Sequence, residues 1–277
     1  MKLEDNQPTI KKIFEVAENY RPLGKPIFTG IKEFDDATDG GVRGGELVVI
    51  TGTQKAGKTV YSLWLTKTIV DSGVPVLYFT YEMNPWYLKE KFVALGATEE
   101  FATFVPIEHS ETTDTWIEQR ILEAQETQAC KIVFIDHLHY LVPFDQEKAG
   151  NSSLFVGAIA RKLKQLAVKT DSIIFLIAHS RRLNEGERVG VNTIRDTALL
   201  GHEADYVFSV ERLKRKEKKV KSYEETMAGN QTNYSKVALV ANRRTGSEPF
   251  KLFSVEQGKF TELTEEQINL IKDTVLI

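Results

Sequence analysis

Apolar positions along this chain follow two alternating rhythms. Near-continuous apolar runs, rich in β-branched and aromatic residues, begin at Leu47 (LVVITG), Val74 (VPVLYFTYE), Lys131 (KIVFID), Ser172 (SIIFLIAH) and Asp205 (DYVFSVE). Runs of this kind predict strands buried on both faces, as in a parallel sheet. Between them apolar residues recur at helical spacing, most clearly from Lys58 to Asp71 and from Ser153 to Lys169. The alternation predicts a doubly wound α/β domain, a mostly parallel sheet flanked by helices. In the last third, KVALVANRR and FKLFSVEQGKFTEL read as strands in short succession, which predicts an antiparallel edge. Near the start, Ile10, Ile13, Phe14 and Ala17 lie on one face of a short amphipathic helix, and RPLGKP, with two prolines and a glycine, reads as a linker. The expected organisation is therefore an N-terminal helix and linker over residues 1–22 and one large domain over 23–277. The basic run RLKRKEKKVK from Arg212 is expected to be a solvated loop.

Composition alters this picture little. Of 277 residues, 42% are hydrophobic and 27% charged, an ordinary globular mix with enough apolar chain for a large core. The opening MKLEDNQPTIKK holds no apolar leader, and no apolar run is long enough to span a bilayer, so no membrane contact and a cytoplasmic protein are expected. A single cysteine, Cys130, excludes an internal disulfide and is expected to pack as a small apolar side chain. The net charge of −3 means that any nucleic-acid contact must come from a local cluster of cations.

The chemistry begins at GTQKAGKT, from Gly52 to Thr59, which fits G-x-x-x-x-G-K-[ST] without a mismatch. A strand precedes it and a helix follows, the context in which such a loop cradles phosphates. The nucleotide-binding residues are thus Gly52, Thr53, Gln54, Lys55, Ala56, Gly57, Lys58 and Thr59, with Val60 beyond them. Lys58 reaches the β- and γ-phosphates of ATP, and the Thr59 hydroxyl is offered to Mg²⁺. Asp136, ending KIVFID, is the second candidate for holding Mg²⁺, through water. His137 stands where many ring ATPases carry a second acid, so the general base must lie elsewhere. Glu82 is the candidate, because ligands collect at the carboxyl ends of strands in open parallel sheets. His137 and His139 in DHLHY do not make a zinc site, since no third ligand lies nearby in sequence.

Taken in order, GTQKAGKT, FTYEM around Glu82, KIVFIDHLHYL around Asp136, LIAHSRR around His179, GHEADYVFSVER from Gly201 and ANRRTG from Ala241 resemble the motor domain of the hexameric replicative helicases of the DnaB and Twinkle type. These are RecA-like ATPases, and the resemblance covers roughly residue 8 to the end. It implies ATP hydrolysis between neighbouring subunits of a homo-oligomeric, hexameric ring that moves along single-stranded DNA, 5′ to 3′, with a primase or loader as a possible partner. The N-terminal helix resembles the family's linker helix, which docks on the adjacent subunit.

The resemblance implies further roles. His179 matches the γ-phosphate sensor; histidine there is similar to the Twinkle and phage branch. Arg243 matches the arginine finger, which reaches into a neighbour's site. Arg244 competes for that role, and strand alternation would admit only one of them, with Arg243 preferred. Contacts to DNA would come from SRRLNEGERVGVNTIRD through Arg181, Arg182, Arg188 and Arg195, repeated around a ring channel. Two readings from other classes stay open: a RecA-like regulatory or recombinase-accessory ATPase, of the clock-protein kind, whose nucleotide state controls assembly or partner binding, and a metabolic phosphotransferase.

Overall fold

The computed structural model describes residues 13, 25–108, 112–141, 152–181, 187, 189–194, 199–216 and 231–276. The 1–22 segment and its boundary lie outside these residues, apart from Ile13, which is helical and exposed.

In chain order the described elements are α1 (Lys32–Ala37), β1 (Leu47–Gly52), α2 (Lys58–Asp71), β2 (Val76–Thr80), α3 (Pro85–Ala94), β3 (Thr103–Phe104), α4 (Asp114–Gln128), β4 (Ile132–Asp136), α5 (Ser152–Thr170), β5 (Ile173–His179), α6 (Leu199–Glu203), β6 (Tyr206–Arg215), β7 (Gln231–Asn242), β8 (Phe250–Glu256), β9 (Lys259–Glu262), α7 (Glu265–Ile271) and β10 (Val275–Leu276). One sheet runs β3-β2-β4-β5-β1-β6-β7-β8-β9, with β10 also against β6. Pairing is parallel from β3 to β6 and antiparallel from β6 onward, so the mostly parallel sheet and its antiparallel edge are both present.

Alternation along each strand divides the core into two layers. Val48, Ile50, Tyr78, Phe134, Phe175 and Phe208 face one way, against Tyr61, Leu65 and Ile69 of α2 and Leu88 and Phe92 of α3. Leu47, Val49, Phe79, Val133, Ile135, Ile174 and Leu176 face the other, against Ile117 and Ile121 of α4 and Val156, Ala160 and Leu163 of α5. Near-continuous apolar strands follow directly from this double coverage. On the first face Tyr78, Phe134 and Phe175 lie in register and stack, with ring centroids 5.6 and 4.5 Å apart. Truncating Phe134 to alanine would open this ladder at a cost of about 3–5 kcal/mol.

Two expectations are corrected. The basic run from Arg212 does not begin as a loop: Arg212–Arg215 continue β6, held by β7 on one side and by β10 through Val275↔Arg215 and Leu276↔Lys214 on the other. Leu213 explains why, since it is buried with Leu252, Leu263 and Val275 in a third apolar cluster that draws the strand on. The end of the run, from residue 217, lies outside the described residues. Arg243 and Arg244 also do not alternate along a strand. β7 stops at Asn242, whose amide donates to the Ala37 and Ser247 carbonyls and to the Thr245 hydroxyl, and both arginines stand in the turn that follows.

Candidate functional site

The carboxyl ends of β1, β2, β4 and β5 meet at one edge of the sheet, and the phosphate-loop motif opens from the first of them. Gly52 ends β1 so close to β6 that a Cβ there would stand 2.2 Å from the Val210 carbonyl oxygen. Gly57 caps α2 with φ 98°, a left-handed conformation that favours glycine. Lys58 follows as the first helical residue. Its ammonium donates to the carbonyls of Gly52 at 3.0 Å and Thr53 at 2.9 Å, so it lies over its own loop. Burial lowers its pKa to about 8, against the opposing pull of Asp136 and then Glu82.

Asp136 is buried at the end of β4. Tyr78, at the near end of the aromatic ladder, donates its hydroxyl to Asp136 Oδ2 at 3.3 Å and lies 3.0 Å from the Ser62 hydroxyl. Burial, then the nearby Glu82 carboxylate, raise Asp136 to about 6, opposed by hydrogen bonds from Thr59 and Tyr78 and by the charge of Lys58. Its Oδ1 is buried without a hydrogen-bond partner among the described residues. An unpaired buried oxygen on a carboxylate that also interacts with the Thr59 side chain fits a hydrated divalent cation, and Thr59 and Asp136 are the residues that would hold Mg²⁺.

Glu82 stands beyond β2. The Tyr81 and Glu82 amides donate to the Asp136 carbonyl at 2.8 and 3.3 Å, and the Thr80 hydroxyl donates to the Met83 carbonyl at 2.5 Å, which bends the chain before Asn84 caps α3. The Glu82 side chain is half-exposed at the mouth of the site, 3.7 Å from His137 Nε2. His179 ends β5 with its ring 4.6 Å from that of His137. Lys58, Thr59, Glu82, Asp136 and His179 thus share one end of the sheet.

The candidate arginines lie elsewhere. Arg243 donates from its amide to the Asp205 carbonyl, its guanidinium reaches Asp205 Oδ1 at 3.6 Å, and it also contacts the His202 carbonyl. Asp205 belongs to the opposite edge, since its amide bonds the carbonyl of Leu47, the first residue of β1. The six residues of β1 therefore separate Arg243 from the loop of its own chain, about 17 Å of strand at about 3.3 Å per residue. Arg244 is engaged internally, with Glu46 and the Thr38 carbonyl. Arg181 pairs with Glu187 through both guanidinium nitrogens. Arg182, Arg188 and Arg195 lie outside the described residues.

Sequence reasoning missed Tyr78, Ser62 and the contact of His137 with Glu82. The signal for Tyr78 is the pairing of β2 with β4, which sets Tyr78 beside Phe134 and Thr80 beside Asp136, and pairing is a long-range property. Among the described residues, no helix is long and apolar enough to cross a membrane.

Comparison with known proteins bears on the fold and the family. The ATPase domain of G40P superimposes with a TM-score of 0.69 at 18% identity, covering 91% of this chain and 96% of that one. A DnaB-like replicative helicase, described with its interactions with primase, gives 0.70 at 17% identity, covering 93% and 69%. These likenesses establish a RecA-like fold. In sequence, the circadian clock oscillator protein KaiC of Prochlorococcus marinus (strain MIT 9313) is 41% identical over 58 residues, which are 21% of this chain and only 12% of that protein. The family model described as "ATPase: KaiC" matches residues 27–170. That match takes in the phosphate loop, Glu82 and Asp136 within more than half of the chain, and the chain belongs to the KaiC family of RecA-like, nucleotide-binding ATPases.

Proposed function

We propose that the chain is an ATP-driven motor that acts on single-stranded DNA as a hexameric ring, with hydrolysis at the subunit interfaces and 5′ to 3′ movement. The observation that carries this reading is the separation of Arg243 from its own phosphate loop by the length of β1. If Arg243 serves a γ-phosphate, it can do so only in another copy, which is the intersubunit arrangement of this reading. Each residue has a part in that site. The loop amides and Lys58 bind the phosphates, and Glu82 orients the attacking water and accepts its proton. His179, at the end of β5, would sense the γ-phosphate. Bound through Thr59 and Asp136, Mg²⁺ supplies charge neutralisation at the phosphates. Arg181 and, by sequence, Arg182, Arg188 and Arg195 supply the DNA contacts. A primase or loader is the partner this reading expects, and the DnaB-like helicase described with its interactions with primase lends it support.

A second reading is favoured by two observations: the family match is to KaiC, and the Arg181 charge is already paired with Glu187. In that reading nucleotide state governs assembly or binding of a protein partner, without DNA. ATP hydrolysis measured with and without single-stranded DNA, against a Lys58→Ala background, separates the two. Strong stimulation that the variant lacks supports the motor. Hydrolysis indifferent to DNA refutes it and leaves the regulatory ATPase.

A further inference from the structure

We propose that His137 is the positioning residue for Glu82: its imidazole holds the carboxylate of the general base at the mouth of the site and couples it to His179. This rests on reading the chain as an ATPase with Glu82 as base. Glu82 needs such a support. Its backbone is pinned by the Asp136 carbonyl, but its side chain leaves a bend half-exposed, where no regular element fixes its rotamer. A base must be held against its water to be effective, and a misplacement of about 1 Å costs roughly 100-fold.

His137 has the properties of a support. It is buried, and its Nδ1 accepts the His139 amide at 3.2 Å. An amide nitrogen can only donate, so Nδ1 carries the lone pair and the proton of the neutral ring sits on Nε2, the atom that faces Glu82 Oε2 at 3.7 Å. That contact is longer than a hydrogen bond and becomes one with a small closure, as catalytic contacts do when substrate binds. The ring itself is wedged, with centroids 4.6 Å from His179, 5.0 Å from Tyr140 and 5.3 Å from His139. Tyr140 in turn lies 6.5 Å from Tyr81, the residue before Glu82, and their rings are stacked. His137 therefore closes a ring of packed side chains from the Glu82 bend, through the Leu138–Leu141 turn, to the end of β5. Among the described residues, no group of three or more His, Cys, Asp or Glu is placed to hold a metal ion.

The test uses the full chain with Mg·ATP and compares His137→Phe, which keeps a packed ring without a donor, with His137→Gln, which restores an N–H near the Nε2 position. His137→Phe should lower kcat about 10- to 100-fold. KM for ATP and the Kd of a fluorescent ATP analogue should stay within about twofold of wild type, because the phosphate loop is untouched. His137→Gln should recover most of the rate. In a Glu82→Gln background, His137→Phe should add no further loss, since both act on one step. Should the phenylalanine variant not fold, His137→Met makes the same comparison. If Glu82→Gln hydrolyses ATP at the wild-type rate, the assignment of the base fails and the inference with it. If Glu82→Gln is inactive while His137→Phe turns over normally, or if glutamine rescues no better than phenylalanine, the positioning role alone is overturned.

Discussion

Replacing Asp136 with asparagine should stabilise the nucleotide-free protein while abolishing hydrolysis, and the size of the gain can be worked from the site. The carboxyl is buried, its Oδ1 has no partner among the described residues, and burial together with Glu82 raise its pKa from 3.8 to about 6. The folded value exceeds the unfolded one, so the linkage is the reverse of that of a salt-bridged carboxylate. Its favourable contribution is complete below about pH 3.8 and is lost as pH rises through about 6. At about 1.4 kcal/mol per pKa unit, the ionised carboxylate costs about 3 kcal/mol at pH 7.5, whereas at pH 4.5 the cost is about 1 kcal/mol.

Asp136→Asn removes that charge and leaves an oxygen to accept from Tyr78 or Thr59. In a chelating buffer without nucleotide, the variant should melt roughly 6–12 °C above wild type at pH 7.5, at about 2–4 °C per kcal/mol for a chain of this size. At pH 4.5 the gain should shrink to about a third. Circular dichroism melting at the two pH values reads both numbers, and an ATPase assay on the same sample should show no turnover. A variant that melts at or below wild type at pH 7.5, or that gains equally at both pH values, would refute the claim that this carboxylate is held at a cost for the sake of its function.

The two arginines of the β7 turn should separate cleanly. Arg244→Ala leaves Glu46 buried without its guanidinium partner and should cost about 3 kcal/mol in urea unfolding. Arg243→Ala should melt near wild type yet lose hydrolysis, and mixing it with Lys58→Ala should restore turnover, because one variant supplies the loop and the other the arginine. No restoration in the mixture would count against a finger acting between copies. For the proposed DNA contacts, Arg181→Ala should weaken binding of single-stranded DNA and flatten its dependence on salt. Glu187→Gln, which frees Arg181 from its pair, should tighten binding; fluorescence anisotropy over a salt series reads both, and unchanged affinity in both variants would sink the assignment.

Much of this site is legible along the chain because its parts are local. A glycine loop between a strand and a helix is contiguous, and Asp136 and Glu82 can be placed by the rule that the carboxyl ends of parallel strands converge. What the chain conceals depends on pairing. Tyr78 reads as one more apolar position until β2 is set against β4, and only then does its hydroxyl fall beneath Asp136. Arg212–Arg215 read as a solvated run because β10, which holds them in a strand, lies some sixty residues downstream. The choice between Arg243 and Arg244 could not come from alternation, since Asn242 ends the strand before either residue.

The same distinction governs how the site connects to the rest of the molecule. The Gly52 carbonyl accepts the Lys58 ammonium at 3.0 Å and the Ser180 amide at 2.9 Å. Ser180 bridges Ile194, and the Arg181 amide bonds the Thr193 carbonyl, so Ser180, Arg181, Thr193 and Ile194 are tied to the last residue of β1. Were Lys58 to turn to a phosphate, it would leave the oxygen that also holds the Ser180 amide. The phosphate loop and Ser180, more than a hundred residues apart in sequence, therefore share a single acceptor, the Gly52 carbonyl, and a change in the Lys58 hydrogen bond there is felt at the end of β5.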